Sequence, residues 1–401
     1  MNLSLEQVDP RNLGMRLQEA RKATGLTQQD AADRLDMART TVVAIEKGER
    51  KTTPHELLQF AALYRRSVSE LVSKRVVAES LVAQFRASQG EMNPGFEEAA
   101  NELQRRAEDY VELERIVGSP SVNRFPPEYN TKGTSAEQIA EDVATAERNR
   151  LGLGDGPVGN LRERLESDVG IRIFYFPMLS KIAGLFGYSD ILGACVGVNL
   201  NHPRDRRNWT LAHEYGHFLM TRYQVEITVL ATDRKLIGKE RLADGFAKYF
   251  LMPTSGLNRR FTELHRAAES GISLADVCNL ANFYQVSVQA LVLRLEELSR
   301  LPVGTWEKLI AEGFKAQQAH KLLGIDANPP LRDLLPRRYV SLAAEAFRKG
   351  LLSEGQLARY LRTDRISVRL LVESLEKEIH LENGGEFTPM ALDLARSLGG
   401  R

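Results

Sequence analysis

The sequence predicts a predominantly α-helical α+β protein. It would have an all-α amino-terminal domain, a helical linker, a mixed domain with a small sheet, and a helical carboxyl-terminal domain. Three observations carry this. Segment after segment places apolar residues at three- and four-residue spacing, as helices with one buried face require. Only 171–176 and 194–200 alternate or run apolar in strand fashion. At 401 residues the chain is also too long for one ordinary domain. The expected boundaries are 10–73, 74–134, 135–300 and 301–401.

Leu13 to Thr24 reads as a basic amphipathic helix, with Leu13, Leu17 and Ala20 on one stripe and Arg16, Arg21 and Lys22 beside it. Gly25-Leu26 ends it, and Thr27 caps a second helix, Gln28 to Leu35. A turn at Asp36-Met37 leads to a third helix, Ala38 to Lys47, closed by Gly48. Ala31, Leu35, Val42 and Ile45 would form the small core between them. The pattern Gly25-Leu26-Thr27-Gln28-x-x-Ala31-Ala32 … Val42 … Ile45-Glu46-Lys47-Gly48 resembles the XRE-type helix-turn-helix domain over about residues 10–73. That resemblance implies double-stranded DNA as a partner, with the third helix in the major groove. Arg39, Thr40 and Thr41 would face bases, and Gln28 a phosphate or base. Arg39 is the best candidate for a bidentate contact to guanine. Lys47, Arg50 and Lys51 would neutralise the backbone.

After this come helical segments over 71–87 and 96–117, split by Gly90 and Asn93-Pro94-Gly95. The second carries Phe96, Ala100, Leu103, Ala107, Tyr110 and Val117 on one stripe, which suits a dimer-forming hairpin or an intramolecular brace equally. Ser119 to Gly133, with Pro126-Pro127, reads as a connection, and Ala136 to Arg150 as the next helix.

The most informative run is His213-Glu214-Tyr215-Gly216-His217. Two imidazoles four residues apart on a helix lie one turn above each other, so both can hold one metal ion. Glu214 lies off that face, free to take a proton from a water at the metal. This is the His-Glu-x-x-His arrangement of zinc-dependent peptidases. A catalytic zinc wants a third protein ligand. Glu240 begins an apolar-striped helix that Pro253 stops, and Asp244 follows one turn later, placed to receive a ring N–H of a ligating histidine. Glu240 is the preferred third ligand and Asp233 the reserve; Asp233 and Glu226 are nearer in sequence but lack the paired carboxylate.

The run Arg207-Asn208-Trp209-Thr210-Leu211-Ala212-His213-Glu214-Tyr215-Gly216-His217 is followed by Glu240-x-x-Ala243-Asp244-x-Phe246-Ala247 and Leu251-Met252-Pro253. It is preceded by Leu151-Gly152-Leu153-Gly154, Pro157-Val158, Leu161, Leu165-Glu166 and Gly170-Ile171-Arg172-Ile173. Together these resemble the ImmA/IrrE metallopeptidase family over about residues 135–300. The resemblance implies a zincin-like domain with one zinc ion per chain. His213, His217 and Glu240 would be its ligands, in gluzincin style, and Glu214 the general base. Its implied substrates are helix-turn-helix repressors, in phage-related control and the DNA-damage response. Tyr215 stands where the family more often has leucine.

The net charge of +1 hides locally basic runs at 39–66 and 204–207, so it does not argue against DNA. Cys195 and Cys278 lie in apolar contexts and read as reduced core residues. No apolar run reaches membrane-spanning length, and residues 1–10 lack the marks of an export signal, so a cytoplasmic protein is expected. A peptidase in that compartment must be restricted in substrate or switched. Residues 272–291 and 352–371 each have the look of a further helix-turn-helix, more often a packing module than a DNA reader. Residues 302–336 read as helical without a motif, and 382–401 as a frayed tail.

The leading expectation is therefore a DNA-binding regulator with a zinc endopeptidase domain that cuts a repressor-type partner or itself. A non-catalytic transcription factor whose metallopeptidase-like domain senses a ligand, and a toxin–antitoxin or phage-defence component, are the alternatives. A homodimer is compatible with either.

Overall fold

The computed structural model describes residues 9–64, 66, 68–72, 81–82, 84–85, 94–121, 125–131, 135–223, 226–229, 238–267, 271–325, 334–364 and 366–369. Asp233 and the expected tail at 382–401 lie outside them, as does most of 71–87. The chain divides into two compact units, 1–79 and 80–401.

The first unit is all-helical: α1 (Pro10–Ala23), α2 (Gln28–Leu35), α3 (Arg39–Glu46), α4 (Pro54–Leu63) and α5 (Val68–Val72). Thr27 caps α2 by a reciprocal box with Asp30, and Thr53 caps α4 with Glu56. Ala31, Leu35, Val42 and Ile45 are buried as expected, with Leu13, Leu17, Leu57 and Phe60 completing the core. Beneath α3, Arg21 clasps Glu46 through Nε at 2.6 Å and Nη2 at 3.0 Å, and also donates to the Leu26 carbonyl.

The second unit begins with α6 (Pro94–Val117) and α7 (Ala136–Arg150). A short helix α8 (Leu161–Arg164) widens into a π turn over Leu165–Val169. The sheet and the helices that hold the candidate site follow: β1 (Arg172–Phe176), β2 (Ile182–Ser189), β3 (Gly193–Asn199), α9 (Arg204–Met220), β4 (Glu226–Val229) and α10 (Lys239–Leu251). Then come α11 (Thr254–Ala267), α12 (Leu274–Tyr284), α13 (Val288–Glu297), α14 (Thr305–Ala311), α15 (Ala316–Leu322), α16 (Arg337–Arg348) and α17 (Glu354–Leu361). The strand order is β1-β3-β2-β4. β1 runs parallel to β3, while β2 is antiparallel to both β3 and β4. Thus the predominantly helical α+β class holds, but the sheet has two more strands than the sequence suggested. Gly184 and Gly187 interrupt the apolar pattern of β2, and β4 is only four residues long.

Most of the stripe on α6 packs within the chain as a brace would, with Phe96 and Val117 only half-buried. Ala100, Leu103, Ala107, Tyr110 and Leu113 are buried within the chain. Glu114 binds both Arg172 of β1, at 2.9 Å, and Arg338 of α16, at 2.5 Å. Arg362, just past α17, reaches Asp109 at 3.2 Å.

One turn recurs three times. Asp36, Gln285 and Arg362 all adopt left-handed backbone conformations. The next residue's N–H then bonds back to Ala32, Ala281 and Ala358, at 3.0, 3.0 and 3.1 Å. Six residues beyond each left-handed residue, Val42, Leu291 and Val368 are buried. The two later units therefore share the local geometry of a helix-turn-helix, as their sequences suggested. In the middle one, Val288, Leu291, Val292, Arg294 and Leu295 of the second helix are buried, so that helix serves packing.

Candidate metal centre and helix-turn-helix surface

α9 is buried from Thr210 to Met220, as a core helix must be if its polar residues have partners. Its stripes have different tasks. Tyr215 faces α7, where its hydroxyl donates to Glu147 at 2.6 Å. The Glu147 carboxylate is fully buried and also accepts from the Tyr129 hydroxyl at 2.8 Å and from Arg150. This explains the departure from leucine: the extra hydroxyl is matched by a buried acceptor on a neighbouring helix. At the other end of α9, residues 125–131 form a strap. Tyr129 N–H donates to the Leu219 carbonyl, and the Arg222 guanidinium lies over the Phe218 ring while donating to the Pro126 carbonyl at 2.6 Å.

His213 and His217 face α10. The contact between the two helices is close because residue 216 is glycine: a Cβ there would stand 3.1 Å from Ala243 Cα and 3.2 Å from the Phe246 ring. A glycine inside a helix costs about 1 kcal/mol relative to alanine, and here it admits the neighbouring backbone. Glu240, in the first turn of α10, is thereby brought to both imidazoles. Its two oxygens stand 3.4 Å from His213 Nε2 and 3.4 Å from His217 Nε2, and the two Nε2 atoms are 3.1 Å apart. Ligands at about 2.0–2.1 Å from a tetrahedral zinc are roughly 3.3 Å from each other, so the triangle fits such an ion. Among the described residues these three form the one His/Cys/Asp/Glu group with metal-holding spacing.

Asp244 accepts from His213 Nδ1 at 2.8 Å and from Trp209 Nε1 at 3.2 Å, directing His213 Nε2 toward Glu240. Thr221 Oγ1 lies 3.3 Å from His217 Nδ1. Burial alone would lower His213, but the hydrogen bonds to Asp244 and Glu240 outweigh it and push its pKa up to about 10. His217 is held below its usual value by burial, although Glu240 opposes this. Burial would raise Glu240, yet both histidines hold its carboxyl far below the usual range. The donor set therefore concentrates negative charge on Glu240 and demands a cation beside it. Without a metal, that cation is the His213 proton.

Glu214 lies against β2. A Cβ on Gly184 would lie 3.2 Å from Glu214 Cδ and 2.6 Å from Thr210 Cγ2. Of the polar rings elsewhere in this domain, His202 bonds the Ser180 carbonyl at 2.9 Å and Tyr249 donates to Glu297 at 3.3 Å. Tyr223 is exposed with its ring edge-on to Tyr188. None of these contacts ties them to the histidines.

In the first unit, Arg39, Thr40 and Lys47 are exposed and Thr41 is half-buried. Gln28 is half-buried and donates to Glu46 at 2.9 Å. Arg39 and Gln28 share a groove with Arg21, Leu26, Thr27 and Gln29. Ala38 supplies no side-chain cap to α3, so the first N–H groups of that helix are not held by its own N-cap.

The sequence signals missed the roles of Thr221, Gly216, Gly184 and Glu147. Thr221 was legible, since it stands four residues after His217. Gly216 carried a weak signal as a glycine inside a helix. Gly184 and Glu147 carried none, because their roles arise from contacts distant in sequence.

A helix-turn-helix unit and a metallopeptidase-like domain, whose two histidines and carboxylate converge from adjoining helices, are thus joined in one chain. Residues 166–296 match the family described as the IrrE N-terminal-like domain, and residues 17–71 match the helix-turn-helix family. The protein is a fusion of an XRE-type helix-turn-helix domain with an IrrE/ImmA-like peptidase domain: a DNA-binding regulator carrying a peptidase-like domain. No curated protein matches it.

Among solved structures it is similar to PlcR of Bacillus thuringiensis in complex with the peptide PapR7 and DNA, at 12% identity, covering 93% of this chain and 100% of that one, with a TM-score of 0.17. It is also similar to ComR from Streptococcus suis, at 11% identity, covering 93% and 96%, with a TM-score of 0.16. Likenesses this weak carry no argument. Among the described residues, no helix is long and apolar enough to cross a membrane.

Proposed function

We propose that the chain is a transcriptional regulator whose peptidase-like domain is a zinc endopeptidase, cutting a helix-turn-helix repressor-type partner or itself. The convergence of His213, His217 and Glu240, with Glu214 one residue along the same helix, carries this reading. A zinc ion held there would polarise a scissile carbonyl and lower the pKa of a water. Glu214 would take a proton from the attacking water and pass it to the leaving amine. Asp244 keeps the His213 ring oriented, and Thr221 braces His217. A substrate in extended form would pair with β4, the sheet edge beside β2 among the described residues.

In the first unit, α3 enters the major groove. Arg39, Thr40 and Thr41 meet base edges, Gln28 supports them from α2, and Lys47 meets the backbone. Glu46 holds Gln28 and Arg21 together, so the reading surface is anchored on a buried ion pair.

Glu214→Gln separates catalysis from sensing. It keeps size and shape but removes the base, so metal and DNA binding persist while cleavage of the repressor-type partner stops. Normal cleavage or normal regulation by this variant would reject the peptidase mechanism.

A further inference from the structure

We propose that Gly184 is a positioning residue: the bare backbone of β2 at this point is the seat that fixes the Glu214 carboxylate. The inference deepens the peptidase reading, because the seat matters chemically only if Glu214 is the base. Its geometry is independent of that reading.

Thr210, Glu214 and Phe218 stand four residues apart, on one stripe of α9. That stripe lies along β2. Gly184 meets Thr210 and Glu214, while two residues on, Phe186 packs edge-on against Phe218 with ring centroids 6.3 Å apart. Alternate strand residues share a face, so Gly184 and Phe186 both look toward α9. At Phe186 the gap is filled by a fully buried ring, and at Gly184 it is filled from the other side by Glu214. A Cβ at 184 would fall inside contact distance of Glu214 Oε1 and within 2.6 Å of Thr210 Cγ2. Of the two, the Glu214 carboxylate is the far end of a flexible side chain and yields first. Thr210 and Glu214 are buried on a helix that Gly216 presses against α10, and the neighbouring His213 and His217 are tied to Glu240. The only soft coordinate is the Glu214 side-chain torsion, so a methyl group at 184 swings the carboxylate off its position. The β2–β4 pairing shifts register between Ile182 and Gly184, which marks the same spot as locally irregular backbone.

Two measurements on the full chain test this. In thermal unfolding, Gly184→Ala lowers the melting midpoint by about 5 °C. Combined with Thr210→Ser and Glu214→Ala, which remove the atoms the methyl would meet, the added shift from Gly184→Ala shrinks to about 1 °C. An equal shift in both backgrounds overturns the seat. In zinc-loaded protein, acetohydroxamate is the probe, because it chelates zinc and hydrogen-bonds a neighbouring carboxylate. Its affinity falls about tenfold in both Gly184→Ala and Glu214→Gln, no further in the double variant, and zinc content stays unchanged. Undiminished affinity in Gly184→Ala, or losses that add, overturns the positioning role. If the parent protein takes up no zinc or ignores the hydroxamate, the peptidase reading fails instead, and the unfolding comparison still decides the seat.

Discussion

Truncating Glu147 is expected to destabilise the metallopeptidase-like unit by about 3–5 kcal/mol. The carboxylate is fully buried and serves four donors: the Tyr129 hydroxyl at 2.8 Å, the Tyr215 hydroxyl at 2.6 Å, and Arg150 Nε and Nη2 at 2.9 and 2.8 Å. Glu147→Ala leaves the two hydroxyls without this acceptor, at about 1–2 kcal/mol each, and opens a void worth about 1 kcal/mol more. The Arg150 side chain is 31% exposed and can turn to water, so its lost ion pair adds little. Tyr215→Phe removes one of these bonds and is expected to cost about 1–2 kcal/mol. The assay is urea unfolding followed by tryptophan fluorescence, since Trp209 and Trp306 both lie in this unit and report on it alone. The reasoning is refuted if Glu147→Ala stays within about 1 kcal/mol of the parent, or if Tyr215→Phe costs as much as Glu147→Ala.

Purified protein is expected to hold about one zinc per chain, lost in His217→Ala and weakened about ten- to hundredfold in Asp244→Ala; elemental analysis and competition with a chelator measure both. With its pKa raised to about 10 in the metal-free chain, His213 contributes stability that is complete below its unfolded value near 6.5 and fades as pH rises toward 10. Metal-stripped protein is therefore expected to melt lower at pH 9 than at pH 6, and to release about one proton per zinc bound at pH 7.5, read by calorimetry in two buffers. A melting midpoint that rises over that window counts against the assignment. On DNA, Arg39→Ala is expected to lose about 1–3 kcal/mol of discrimination at one base position, whereas Lys47→Ala weakens all sequences alike and flattens the salt slope by about one; binding titrations at several salt concentrations separate the two.

Much of this site was legible because its chemistry is local. His213 and His217 are one turn apart, Glu240 and Asp244 are one turn apart, and each pair can be read from spacing on one helix. The helix-turn-helix core was legible for the same reason, since Thr27, Asp30 and Asp36 act within a few residues of themselves. What could not be read arises where distant segments meet. Nothing near Tyr215 in the sequence announces that Glu147, 68 residues earlier, will accept its hydrogen bond. Nor does anything near Gly184 announce that the gap in its strand is filled by a helix. β2 was missed because its glycines break the apolar alternation, and those glycines are where a neighbouring element comes closest.

The strap at 125–131 ties a segment some ninety residues earlier in the chain to the end of the metal-site helix. Its polypeptide arrives at the last turn of α9, where the Leu219 carbonyl and Arg222 grip it within five residues of His217. The same helix is gripped along its flank by Glu147 and across its front by Glu240. The helix that carries both imidazoles is therefore held at three places: at its end by the strap, on its flank by Glu147, and at the 3.4 Å edges of the metal triangle by Glu240.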